Sequence, residues 1–72
     1  MFIRFANVGR EQWNGVVPVA DGSDTNEILD VAYRTARKHL ISTGIEVEWD
    51  HGEEKGYIFT GFYQVGTFTV TK

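Results

Sequence analysis

Glu46, Glu48, Asp50, His51, Glu53 and Glu54 gather ionisable groups within one short stretch of the chain. A carboxylate and imidazole set of this kind can hold a divalent cation, or it can act as a fixed array of negative charge. The spacing separates the two uses. Metal loops set their ligands at defined intervals around a turn, whereas His51, Glu53 and Glu54 are near neighbours in one polar turn, so no metal site is expected. Glu46, Glu48 and Asp50 alternate with Ile45, Val47 and Trp49, the two-residue period of a strand with one apolar and one acidic face. Such acids project in a row spaced about 7 Å apart, close to a nucleic-acid phosphate repeat. The row, extended by Glu53 and Glu54, suits a basic groove on a partner protein, including one built for nucleic acid. A solvated face of a half-buried strand is the simpler account of the same residues.

The remaining reactive residue types offer less. The chain has no cysteine, which excludes a thiolate nucleophile, disulfides and thiolate zinc sites. Ser23 and Ser42 fall at the two ends of an expected helix, as turn or capping residue and as helix terminus. His39 lies late on that helix, where a basic side chain complements the dipole. Gly-Lys-Ser/Thr and Gly-x-Gly-x-x-Gly are both absent, so no phosphate-cradling loop exists. No catalytic residue and no cofactor are expected.

The elements that position these residues follow from periodicity and turn chemistry. Phe2 to Val8 reads as a first strand, Gly9 to Gly15 as a loop with Asn14-Gly15 as its turn dipeptide, and Val16 to Ala20 as a second strand. Pro18 assigns that second strand to a sheet edge, and a hairpin is favoured over one long interrupted strand. Asp24 with Glu27 has the spacing of a capping box. Ile28, Leu29, Ala32, Tyr33, Ala36, Leu40 and Ile41 form a helical stripe, and Gly44 stands where a left-handed cap belongs, giving a helix over roughly 25–42. After the acidic strand, His51 to Gly56 is a polar turn. Tyr57 to Tyr63 is a strand in which Gly61 marks a bulge or a close approach of the helix near Ala32 or Ala36. Gln64-Val65-Gly66 is a connection, and Thr67 to Thr71 is the last strand. The result is a single α+β domain over residues 1–72, one helix packed on a small antiparallel sheet in the order ββαβββ.

Composition bounds the function. Seventy-two residues support one small core, and the formal net charge of −3 argues against non-specific phosphate binding as the main activity. Residues 1–20 show no signal-peptide pattern and no apolar run approaches a membrane span, so a soluble, cytoplasmic protein with no membrane partner is expected. The ten aromatics are too many for so small a core to enclose, so some should reach the surface. Trp13, expected in a loop, is either an anchor for a partner or a lid on the core, and Tyr63 is a second anchor. A nucleic-acid reading instead uses Tyr57 and Phe59 as a stacking platform with Arg34, Arg37 and Lys38 on the basic helix face. A third reading is a homodimer, or a self-assembling structural protein, formed through exposed strand edges.

The run Glu46-Val47-Glu48-Trp49-Asp50, followed by Gly56 to Phe62 and Val65-Gly66-Thr67-Phe68, resembles the tail of small uncharacterised bacteriophage accessory proteins. The resemblance covers about the final third of the chain and brings no functional motif. It implies a phage protein made in a bacterial cytoplasm, acting as a non-enzymatic inhibitor that masks a host protein or defence complex, as anti-CRISPR proteins do.

Overall fold

In a computed structural model describing residues 1–40 and 44–71, the chain forms β1 (Phe2–Val8), β2 (Trp13–Pro18), α1 (Thr25–His39), β3 (Ile45–Asp50), β4 (Lys55–Thr60) and β5 (Tyr63–Thr71). The strands pair antiparallel in a five-stranded sheet of order β2-β1-β5-β4-β3, and α1 covers one face. This is the ββαβββ, α+β arrangement expected. The alternation in β3 places Ile45, Val47 and Trp49 against the core and leaves Glu46, Glu48 and Asp50 exposed.

The core joins Ile3, Phe5 and Val8 of β1, Ile58 of β4, Phe68 of β5, and Ala32 and Ala36 of α1. Each Ile, Val or Phe removed from water contributes about 1.5–3 kcal/mol, and partly buried Trp13, Leu29, Leu40 and Trp49 add to this by packing against them. The two alanines let the helix lie close to the sheet. On the sheet, Gly56 faces Phe68, and a Cβ at that glycine would stand 2.0 Å from Phe68 Cζ. The phenyl ring therefore occupies the space a side chain would need.

Asp24 caps α1, its Oδ1 accepting from Glu27 N at 2.9 Å. The helix stops at His39 rather than continuing to 42, because Leu40 takes extended backbone (φ −122°) and packs on the core. Gly44 has φ +74° but lies beyond this end, so it is not the cap glycine. Ile41 and Ser42, expected as the end of the helix, lie outside the described residues.

The N-terminal hairpin forms, with Pro18 on an edge strand as expected, but its turn is Gly9–Gln12 and β2 begins at Trp13 rather than Val16. Gly9 (φ 76°) and Gln12 (φ 51°) supply the positive φ, while Asn14 lies in the strand and accepts from Asn7 N at 3.2 Å. Paired strand structure here lets the Trp13 indole cover Phe5, with ring centroids 5.5 Å apart. In the C-terminal half, the expected strand Tyr57–Tyr63 breaks at Gly61-Phe62, a two-residue hairpin turn between Thr60 and Tyr63. Gly61 takes φ 61° at the first turn position, as a type II′ turn demands, and nothing lies within 4 Å of where its Cβ would be. It is therefore neither a bulge nor a point of helix approach. Gln64-Val65-Gly66, expected as the connection, belongs to β5, where the register with β4 shifts and Gly9 N donates to Val65 O at 2.9 Å. A bulge and a turn share the same sequence signature there.

The helix direction gives the molecule two distinct ends. Met1, Thr25, Ile28, Trp49, Glu54 and Val70 line one hollow where α1 starts, and the His39 carbonyl lies against Gly9 where α1 finishes. Asp24, Glu27, Asp50, Glu53 and Glu54 thus lie toward the first end, with Lys55 and the Met1 amino group among them, and Arg10, Arg37 and Lys38 toward the second, with Glu11. Among the described residues, no helix is long and apolar enough to cross a membrane.

Candidate binding surface

The face of the sheet away from α1 carries the acidic row. Register places Glu46 beside Phe59, Glu48 beside Tyr57 and Asp50 beside Lys55, so all six side chains share that uncovered face. Glu46, Glu48 and Asp50 are exposed, and none forms an ion pair among the described residues. Lys55, the nearest cation by register, lies over the Tyr57 ring, its Nζ 5.8 Å from the centroid. Among the described residues the three carboxylates are thus free of direct ion pairs, with Lys55 beside Asp50 at one end of the row.

The turn after β3 is built by its own carboxylates. Asp50 Oδ1 accepts from Gly52 N at 2.8 Å and from Glu53 N at 3.2 Å, which folds the chain back toward β4. Glu54 supplies the left-handed residue that ends the turn (φ 53°). Tyr57 donates its hydroxyl proton to Glu53 Oε2 at 2.8 Å, and this hydrogen bond to the neutral phenol pushes the Tyr57 pKa up. Glu48, Trp49, Asp50, His51, Gly52 and Tyr57 line an open hollow at this end of the hairpin. Among the described residues no group of three or more His, Asp or Glu side chains converges as a metal site would require.

The sequence-derived anchors do not join this surface. Trp13 sits on β2, at the opposite edge of the sheet, about 19 Å of strand spacing from β3. It lies in the strand rather than a loop, and His39 stacks on its indole with centroids 3.8 Å apart and planes 11° from parallel. The pair closes the core beside Phe5, which is the lid role. Tyr63 is 76% exposed at the β4–β5 tip. Phe62, which sequence reasoning assigned to a strand face, is fully exposed in that turn, at 101%. The Gly-x pair between two alternating runs was the signal that could have found it.

The alternative nucleic-acid set is split by the fold. Tyr57 and Phe59 lie together on the uncovered sheet face, with centroids 6.4 Å apart. Arg34, Arg37 and Lys38 are exposed on the helix, which lies on the other side of the sheet. Arg34 pairs with Asp30 at 2.7 Å, and the Arg37 guanidinium lies 5.8 Å from the Tyr33 ring. Ser23 Oγ donates to the Ala20 carbonyl at 2.6 Å, the turn role expected of it. Compared with protein-family models, curated proteins and solved structures, the chain shows no significant match.

Proposed function

We propose that the protein is a non-catalytic binding protein that masks a cationic surface of a protein partner with its β3–β4 hairpin. The observation that supports this reading is the exposed line Glu46, Glu48 and Asp50, without an ion pair among the described residues and continued by Glu53 and Glu54. Solvated carboxylates attract a basic surface at modest desolvation cost and keep that attraction sensitive to salt. A partner groove that otherwise holds nucleic acid has the matching charge. The resemblance to phage accessory proteins makes a host enzyme or defence complex the first candidate. The two halves of the nucleic-acid alternative lie on opposite sides of the sheet and form no continuous surface, so the acidic row is the reading favoured.

A tagged pull-down from bacterial lysate, run with and without nuclease, tests the reading. A stoichiometric protein band should survive nuclease and fall on the order of tenfold in the E46K/E48K variant, which leaves the Asp50 turn intact, with steep loss in salt. Recovery of nucleic acid alone, or an unchanged band with the reversed charges, would refute it.

A further inference from the structure

β3 is a terminal strand of the sheet. Among the described residues, Ile45–Asp50 makes backbone hydrogen bonds to β4 and to no other element. The two edges of the sheet differ in how they are protected. β2 carries Pro18, and its pairing with β1 slips between Phe5 and Val8; both features blunt strand addition. β3 has no proline, no lysine and no bulge, and its register with β4 is continuous from Ile45↔Thr60 to Asp50↔Lys55. A regular edge of this length can template another strand.

The side chains beside the edge select what can join it. A second copy of β3 would set glutamate against glutamate on the uncovered face, and like charges in cross-strand pairs are destabilising. A strand with lysine or arginine at alternate positions would oppose Glu46, Glu48 and Asp50 with complementary charge. Its intervening residues would meet Ile45, Val47 and Trp49, which are only half-buried under the helix and offer an apolar rim. We propose that the outer edge of β3 takes up an extended segment of the partner protein, alternating basic and apolar residues, as a sixth strand of the sheet. This rests on the reading that the acidic row binds a basic partner, and it names the form that partner takes.

The test uses the full chain, isotopically labelled, titrated with a short peptide of alternating lysine and valine and with a composition-matched peptide having its lysines and valines in separate blocks. The alternating peptide should bind at least about tenfold more tightly, add amide-exchange protection within Ile45–Asp50, and lose its advantage in an E46Q/E48Q variant. That variant keeps Asp50 and its turn intact, so loss of fold does not confound the result. Equal binding of the two peptides would overturn strand addition while leaving the charge-based reading standing. Binding without protection at β3 would overturn it in the same way. Failure of both peptides to bind at low salt would overturn the inference together with its electrostatic basis.

Discussion

Replacing Gly56 by alanine should destabilise the protein by about 2 kcal/mol. The added Cβ would stand 2.0 Å from Phe68 Cζ, where ordinary van der Waals contact begins near 3.4 Å, so the ring must withdraw by 3.4 − 2.0 = 1.4 Å. It has little room to do so. Phe68 is 1% exposed and held between Phe5, at 5.8 Å, and Trp49, at 5.9 Å. Overpacking of this kind costs ~1–3 kcal/mol, and the rigid surroundings place it at the upper end. Alanine also reduces the freedom of the unfolded chain, returning ~0.4–1 kcal/mol, which brings the net to about 2. For a domain of this size that lowers the melting temperature by roughly 8–16 °C. Urea and thermal denaturation followed by tryptophan fluorescence would measure it, since Trp49 adjoins the displaced ring. Repeating the substitution in an F68L background should cost at least ~1 kcal/mol less, because the shorter side chain vacates the contact. A loss below ~0.5 kcal/mol, or equal losses in both backgrounds, would refute the packing argument.

Two further predictions concern pH. The Met1 amino group donates to Asp21 at 2.6 Å and its positive charge lies beside the carboxylate; together they hold the Asp21 pKa below its ordinary 3.8. A carboxyl depressed on folding contributes stability that is present above its unfolded pKa and lost as pH falls through the folded one. D21N, or acetylation of the N-terminus, should therefore flatten the decline of the urea midpoint below pH 3.8, and an unchanged acid slope would count against the pair. Tyr57 is shifted the other way, upward from 10.0, by its hydrogen bond to Glu53. Its contribution is fully present below pH 10.0 and lost as pH rises through the folded value. Absorbance titration of tyrosinate should contain a late component that E53Q moves earlier and Y57F abolishes, and a late component surviving in Y57F would reassign it.

Local rules made part of this fold legible. The helix announces itself through Asp24, Glu27 and the apolar stripe, because capping and period act within a few residues. Strict alternation likewise fixed which face of β3 is acidic. The partnering of β5 with β1 was not legible, since Phe5 and Phe68 meet only through the closure of the whole chain. Gly61 and Gly66 exchanged roles for a related reason. Aromatic residues on both sides of Gly61 imitate one continuous strand, and only the register of Thr60 against Tyr63 reveals the turn. The acidic row could be read from sequence because exposure follows from alternation. That Trp13 lies under His39, far from that row, depends on where the helix end meets the Gly9–Gln12 turn.

The sorting of charge toward the two ends of α1 has a consequence for how the molecule moves before it touches anything. Carboxylates outnumber cations where the helix starts, and Arg10, Arg37 and Lys38 outnumber the neighbouring Glu11 where it finishes, on a body 30 Å in its longest dimension. Such a molecule is an electric dipole as well as a net anion, and the field of a cationic surface exerts a torque on it. On the proposed reading, that torque biases approach to a basic partner toward the β3–β4 turn. Between copies the net charge of −3 acts against the same torque, so like molecules repel most where salt is lowest.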